Sequence, residues 1–126
     1  MTFDPPVCQG DILIVDDLAE NIRILSDTLS TQGHRIRATR NGAMALIGVR
    51  AAPPDVILLD IRMPVMDGFE FVEAFNEFPS DKKESVKIVM LSSSRNPKDI
   101  SRSKELGVNN YYTKPLTETI IKNITE

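Results

Sequence analysis

The sequence is short of cysteine, net charge and long apolar runs, and each shortage excludes a class of protein. Among 126 residues Cys8 is the only cysteine, so no internal disulfide can form and a cytoplasmic protein is expected. The formal net charge of −3 gives no basic surface for DNA or RNA. No apolar run approaches the roughly 18 residues of a membrane-spanning helix, and the opening residues lack a signal-peptide pattern. We therefore expect neither direct nucleic-acid binding nor contact with a membrane.

The residues that are present predict one domain of ordinary composition. Hydrophobic residues make up 41% and charged residues 26% of a chain that is long enough to bury a core without disulfides or structural metals. The opening, with its prolines, predicts an N-terminal tail over residues 1–10. The remainder, residues 11–126, predicts a single folded unit.

Short apolar runs alternate with amphipathic segments through this unit. Residues 12–15 read Ile-Leu-Ile-Val, a continuous run that is typical of a strand buried on both faces. Apolar side chains then recur at helical spacing as far as Gly33, which predicts one buried helix face. These side chains are Leu18, Ile22, Leu25 and Leu29.

The same alternation continues to the end of the chain. Further strands are predicted over residues 35–39, 56–59 and 86–91 and around 111–112, and further helices after Asn41, Gly68 and Asn96 and near 116–124. The helix after Gly68 is expected to carry Phe71, Phe75 and Phe78, and a polar loop over residues 79–85 to follow it. Five strands that each precede a helix predict an α/β fold: a doubly wound, five-stranded parallel sheet with helices on both faces, in three layers.

Charged and hydroxyl side chains stand at the ends of the predicted strands, where ligands of such sheets bind. They are Asp16 and Asp17 after the first strand, Asp60 after the third, Ser92 after the fourth and Lys114 after the fifth. Taken singly, each is more often a solvated loop or turn residue. Three carboxylates in one crevice repel one another, however, and require a cation. Oxygen ligands without clustered His or Cys favour Mg²⁺, with Mn²⁺ as the alternative, in a pocket that can accept a phosphoryl group.

Together these motifs resemble the receiver domain of bacterial response regulators, in the CheY-like superfamily. The resemblance covers about residues 10–124 and rests on ILIVDD at 12–17, LLDIRMPVMDG at 58–68, Ser92 and YYTKP at 111–115. It implies a flavodoxin-like fold with strand order 2-1-3-4-5. It also implies two-component signalling, in which a histidine kinase or a histidine phosphotransfer protein phosphorylates the chain. The chain is then not an enzyme, but a phosphoacceptor that assists its own phosphotransfer and autodephosphorylation.

The resemblance, read with the chemistry of the side chains, gives each residue of the site a role. Asp60 is the nucleophile and forms a mixed anhydride with phosphate. Asp17 is expected to bind the metal directly and Asp16 mainly through water, while Asp60 and the backbone carbonyl of Arg62 complete the protein ligands. Lys114 is expected to pair with Asp60 at rest and with the phosphoryl oxygens afterwards.

The resemblance implies that a second group of residues controls the lifetime of the phosphorylated state and transmits the signal. Ser92 stands at the family's hydroxyl switch position and Tyr111 at its aromatic switch position. Arg62 and Ser94 stand where side chains control the access of water to the acyl phosphate. Pro115 is expected to follow a cis peptide bond that aims the preceding lysine inward. The output surface is then formed by the fourth predicted helix, the fifth strand and the fifth helix, α4-β5-α5 in the family.

Other expectations concern side chains and partners outside the site. The phosphohistidine belongs to the donor, so His34 is expected to be a surface residue ahead of the second strand, and Tyr112 an ordinary core or surface ring. We expect a downstream protein target of unknown identity, and a monomer or a phosphorylation-dependent dimer. The chain is expected to be either a stand-alone regulator or a receiver cut from a larger regulator or hybrid kinase.

Three alternative functions fit parts of the pattern. A phosphatase of the haloacid-dehalogenase type also uses an aspartate nucleophile, but its Asp-x-Asp motif follows the first strand and it carries a cap. Flavin binding rests on the fold alone, and two aspartates after the first strand would repel the flavin phosphate. A phosphorylation-independent interaction module has no reason to retain Asp16, Asp17, Asp60 and Lys114 together.

Overall fold

The five predicted strands form one parallel sheet in the order β2-β1-β3-β4-β5. The structure, a computed structural model, describes residues 10–92, 96–108 and 110–114. The strands are β1 (Asp11–Val15), β2 (Arg35–Thr39), β3 (Val56–Asp60), β4 (Lys87–Ser92) and β5 (Asn110–Thr113). Val15 pairs with Leu59 and Asp60 with Leu91, so neighbouring strands end side by side at one edge of the sheet. This edge is called the carboxyl edge below.

Helices connect the strands, and their ends carry the expected signals. They are α1 (Ala19–Thr31), α2 (Gly42–Ala51), α3 (Gly68–Asn76), the one-turn α4 (Ser80–Lys83) and α5 (Pro97–Glu105). The side chain of Asn41 accepts hydrogen bonds from the first backbone N–H groups of α2, and Asn96 does the same for α5. Asp67 and Glu70 form a reciprocal capping box at the start of α3.

Apolar side chains cover both faces of the sheet, which confirms the three-layer arrangement. On one face Leu25 and Leu29 of α1 pack against Ile12 and Ile14 of β1. On the other face lie the alternate residues of the same strands with the apolar side chains of α2 and α3, including Phe69, Phe71, Val72 and Phe75. Because β1 and β3 are covered on both sides, they read as continuous apolar runs in the sequence. None of the helices in the described ranges has the length and apolar character of a membrane span.

The structure corrects several of the predictions made from the sequence. Leu18 was predicted on the buried face of α1, but it is the residue before the helix and is 55% exposed. Phe78 lies beyond the end of α3, and the predicted polar loop contains α4. The expectation that His34 is a surface residue is wrong, because this side chain is only 7% exposed. Gly33, at φ 89°, reverses the chain after α1, so that the backbone N–H of His34 donates to the carbonyl of Leu29 and the residue is drawn inward.

Several predictions lie outside the described residues. They are the tail over residues 1–9, Ser94, the cis peptide bond before Pro115 and the last helix near residues 116–124.

Candidate functional site

Three carboxylates converge at the carboxyl edge, as the strand ends require. Asp16 and Asp17 directly follow β1, and Asp60 is the last residue of the neighbouring β3. One oxygen from each of the three carboxylates lies within 4.8 Å of the other two. Asp16 and Asp60 are buried and Asp17 is half-buried. Such a group of oxygen donors fits a hard divalent cation, because the positive charge offsets the repulsion between the carboxylates.

The carboxylate of Asp16 is held by hydrogen bonds from three donors. Its Oδ1 accepts the backbone N–H of Leu18 at 2.9 Å. Its Oδ2 accepts the side-chain amide of Asn21 at 3.3 Å and the ammonium of Lys114 at 2.8 Å. These bonds fix the orientation of Asp16 and occupy lone pairs that a metal would otherwise use. Asp17 is held through its backbone instead, because its carbonyl accepts Arg40 Nε at 2.9 Å.

Lys114 joins the two buried carboxylates. Its Nζ lies 2.8 Å from Asp16 Oδ2 and 3.3 Å from Asp60 Oδ1, so the expected pairing with Asp60 is present and the pairing with Asp16 is shorter. Its backbone N–H donates to the carbonyl of Ser92 at 2.7 Å, which ties the end of β5 to the end of β4. Burial lowers the pKa of Lys114, but the contacts with Asp16 and Asp60 outweigh burial, so the pKa lies above its ordinary value. The lysine therefore remains a cation.

Asp60 carries the most perturbed carboxyl group of the site. Burial raises the pKa of Asp60 from 3.8 to about 6; repulsion from Asp16 and Asp17 adds to the rise, and Lys114 opposes it. The ionised form is therefore poorly compensated by the protein alone. A divalent cation beside the carboxylates would supply the missing positive charge.

The loop from β3 to α3 fits closely around the backbone of Asp60. Gly68 donates its N–H to the carbonyl of Ile61 at 2.9 Å. A β-carbon on Gly68 would lie 2.9 Å from the Cα of Ile61 and 3.0 Å from the carbonyl oxygen of Asp60, so only glycine fits without a shift. In the same loop Val65 has φ 70° and a side chain that is 99% exposed. This left-handed conformation is strained for a β-branched residue.

The two predicted switch residues lie on the adjacent strands. Ser92 is the last residue of β4, is 1% exposed and pairs in register with Thr113 of β5. Tyr111 is half-buried, lies beside Met90 and packs against the core cluster that contains α3. Tyr112 packs against the cluster on the opposite face.

Sequence reasoning missed two side chains that contact the site residues. Asn21 donates to Asp16, and Asp99 of α5 accepts a hydrogen bond from the Arg62 guanidinium at 2.8 Å. Asn21 lies one helical turn after Asp17, which is a usable signal. Asp99 stands in the first turn of a predicted helix, where an acidic residue is expected in any case, so nothing in its position indicates the contact with Arg62.

Residues 12–126 match the family described as the response regulator receiver domain. The chain belongs to this family. Protein PilH of Pseudomonas aeruginosa is 32% identical over 115 residues, which cover 90% of this chain and 93% of PilH. The probable cyclic di-GMP phosphodiesterase of Vibrio cholerae is 37% identical over 115 residues, 91% of this chain but 25% of that protein. The chain spans a quarter or less of the length of several such relatives.

The solved structures agree with the family. The chemotaxis protein CheY4 of Vibrio cholerae superposes with a TM-score of 0.83 at 30% identity, covering 90% of this chain and 93% of CheY4. The predicted flavodoxin-like fold with strand order 2-1-3-4-5 is thereby confirmed. The receiver is a signalling module of the two-component type, and receivers bind Mg²⁺ at the acidic pocket that this chain also has.

Proposed function

We propose that this receiver accepts a phosphoryl group on the carboxylate of Asp60 in a reaction that depends on Mg²⁺. The observation that carries the proposal is the juxtaposition of three carboxylate oxygens within 4.8 Å of one another, with the ammonium of Lys114 in contact with two of the carboxylates. Buried carboxylates gathered in this way do not stabilise the fold, because burial and mutual repulsion raise the pKa of Asp60 and disfavour its ionised form. A perturbed pKa in a crevice is typical of a functional site.

The donor is the phosphohistidine of a histidine kinase or a histidine phosphotransfer protein. An oxygen of Asp60 forms a bond to phosphorus while the bond between phosphorus and the imidazole nitrogen of the donor breaks. The electron pair of the broken bond stays on the imidazole, which a proton from solvent neutralises. The product is a mixed anhydride at Asp60. Its hydrolysis by water releases inorganic phosphate and restores the carboxylate.

The protein holds and orients the reacting groups. Asp17, Asp60 and the backbone carbonyl of Arg62 would bind the cation directly, and Asp16, whose oxygens already accept three donors, would bind it mainly through water. When bound, Mg²⁺ (or Mn²⁺) neutralises charge on the transferred group. Lys114 would contact Asp60 before the transfer and the phosphoryl oxygens after it.

The signal would leave the site through the neighbouring strands. Ser92 would donate its hydroxyl to a phosphoryl oxygen and pull its loop toward the site. Tyr111 would then move into the space that this shift of the loop opens. The output surface would then include α5, β5 and the helix that the sequence predicts near residues 116–124, where a downstream protein or a second copy of the chain would bind. Catalysis of an external substrate is not part of the role, and the cytoplasm is its expected location.

Three further residues would control the lifetime and geometry of the acyl phosphate. A double substitution at Arg62 and Ser94 should change the phosphorylated lifetime and leave metal affinity intact. Pro115 would hold the preceding lysine in its inward orientation through a cis peptide bond. An unchanged lifetime in the double variant would remove the role given to Arg62 and Ser94.

The direct test uses acetyl phosphate as a small donor and intact-protein mass as the readout. The wild-type chain with Mg²⁺ should gain one phosphoryl group, whereas Asp60→Asn, or the wild type with EDTA, should gain none. Asp27→Asn, on the exposed side of α1, is the matched control and should behave as the wild type. Mn²⁺ binding, measured by titration in the absence of a phosphoryl donor, should be weaker in Asp17→Asn than in the wild type. Failure of the wild type to take up phosphate would favour the phosphorylation-independent interaction module.

A further inference from the structure

One ion pair connects the loop of the phosphoacceptor to helix α5. Arg62 follows Asp60 by two residues, and its guanidinium lies 2.8 Å from the carboxylate of Asp99. Asp99 is in the first turn of α5 and its side chain is only 11% exposed, whereas that of Arg62 is 58% exposed. The pair spans 37 positions of the sequence and joins two segments that both begin at the carboxyl edge.

The other contacts of α5 among the described residues are also largely polar. Its two buried residues are Asp99 and Ser103, and the hydroxyl of Ser103 donates to the backbone carbonyl of Asp99 at 2.9 Å. Arg102 stacks on the ring of Phe69 at 4.5 Å and lies 3.5 Å from a carboxylate oxygen of Glu73. A helix held by polar contacts can exchange its partners at a small cost, unlike one held by a buried apolar face.

A phosphoryl group on Asp60 would compete for the guanidinium of Arg62. It adds a charge of about −1.5 to −2 and three strong acceptor oxygens. The Cα atoms of Asp60 and Arg62 are at most about 7 Å apart, because an extended chain advances by about 3.3–3.6 Å per residue. An arginine side chain covers that distance and pairs well with phosphate. Asp99 would lose its cation but keep the favourable end of the α5 dipole.

We propose that Asp99 is a positioning residue that holds the Arg62 guanidinium away from the phosphorylation site at rest. The phosphoryl group on Asp60 then competes with Asp99 for Arg62, so that the guanidinium is shared between the two sites and the first turn of α5 is partly released. This inference rests on the proposed phosphorylation of Asp60. It gives the site a direct connection to α5 that uses neither Ser92 nor Tyr111.

The test is a double-mutant cycle on the lifetime of the phosphorylated protein. Asp99→Asn frees Arg62 to cover the phosphoryl oxygens and exclude water, so the lifetime should lengthen by about threefold or more. In an Arg62→Ala background the same substitution should have no effect on the lifetime. Asp99→Glu, which keeps the charge, should restore a lifetime near that of the wild type. The control is Glu73→Gln, which removes the other ion pair that α5 makes within the described part of the chain and should leave the lifetime unchanged.

Hydrogen exchange provides a second readout that does not depend on the Asp99 variants. Amides in the first turn of α5 should exchange faster in the wild type after phosphorylation, and equally fast before and after it in Arg62→Ala. An unchanged or shortened lifetime in folded Asp99→Asn, or the same lengthening in the Arg62→Ala background, would overturn the inference. Phosphate uptake is measured first, by intact-protein mass. A chain that takes up no phosphate overturns the proposed function as well. A chain that takes up phosphate, but in which substitutions at Asp99 and Arg62 change the phosphorylated lifetime independently, overturns this inference alone.

Discussion

The interior of the sheet and its carboxyl edge contribute to stability with opposite signs. In the interior, side chains such as Ile14, Ile57 and Leu59 are fully buried between apolar neighbours. At the edge, one or two residues further along the same strands, Asp16 and Asp60 are equally buried but charged. Burial that stabilises the interior therefore raises the pKa of Asp60 at the edge.

The backbone shows the same contrast. The strands of the interior pair in an uninterrupted parallel register, whereas the loop after β3 contains Val65 in a left-handed conformation. Conformations of this kind persist when the surrounding structure fixes them, and they occur frequently at functional sites. On the proposed function, the edge is arranged for binding a cation and a phosphoryl group, and the interior supplies the stability that this arrangement lowers.

The largest expected effect is in the interior. Phe71→Ala, at a fully buried position of α3, should lower the free energy of unfolding by about 3–5 kcal/mol, because it removes apolar contacts and leaves a cavity. Ile100→Ala, at the half-buried apolar position of the polar helix α5, should cost much less. Urea denaturation followed by circular dichroism measures both values. Equal losses would contradict the view that α5 is held by polar contacts.

A close-packed position at the edge tests whether every residue there lowers stability. Gly68→Ala should lower the free energy of unfolding by about 2 kcal/mol, because the new β-carbon would press on the backbone of Asp60 and Ile61. Gly48→Ala is the control: no atom lies within 4 Å of its added β-carbon, so alanine should stabilise α2 by about 0.5–1 kcal/mol. A gain in both variants would show that the loop yields easily around Gly68.

The charge at Asp60 should lower stability in a pH-dependent way. Its pKa rises from 3.8 in the unfolded chain to about 6 in the folded protein, so the folded state binds the proton more tightly. The stability that this tighter proton binding at Asp60 contributes is fully present below pH 3.8 and is lost as the pH rises through about 6. In EDTA, Asp60→Asn should therefore be more stable than the wild type by about 1–2 kcal/mol at pH 8.

Thermal unfolding with and without metal measures this difference. At pH 4 the advantage of Asp60→Asn should nearly disappear, and at pH 8 saturating Mg²⁺ should reduce it by stabilising the wild type. The matched substitution Asp27→Asn, on the exposed surface of α1, should be neutral at both pH values. An advantage of Asp60→Asn that is the same at pH 4 and pH 8 would exclude the carboxylate charge as its cause.

Regular elements of the fold could be predicted because each leaves a local signal. Continuous apolar runs identify β1 and β3, and Asn41 and Asn96 mark the starts of α2 and α5. Parallel pairing then brings the strand ends together, so Asp16, Asp17 and Asp60 could be expected in one pocket before any coordinates. Periodicity thus predicts the parallel sheet and the edge at which the carboxylates gather, whereas the strand order 2-1-3-4-5 is implied by the resemblance to receiver domains.

Features that depend on one tertiary contact could not be predicted. The periodic pattern of α1 extends to Leu18, but the helix begins one residue later and leaves that side chain exposed. His34 is buried because a glycine turns the chain inward, which residue type does not reveal. The pair of Arg62 and Asp99 joins the loop after β3 to the first turn of α5, and these segments approach only in the folded sheet. No local signal precedes such contacts.

The smallest expected effect tests the strain at Val65. Val65→Asn should raise the free energy of unfolding by about 1 kcal/mol, because asparagine tolerates a φ of 70° that a β-branched residue resists. Val65→Thr retains the β-branch and removes apolar surface, so it should give no gain. If threonine stabilised the protein as much as asparagine, the benefit would come from replacing a fully exposed apolar side chain and not from the backbone. A gain confined to asparagine, with phosphate uptake intact, would show that the edge carries backbone strain that phosphorylation of Asp60 does not require.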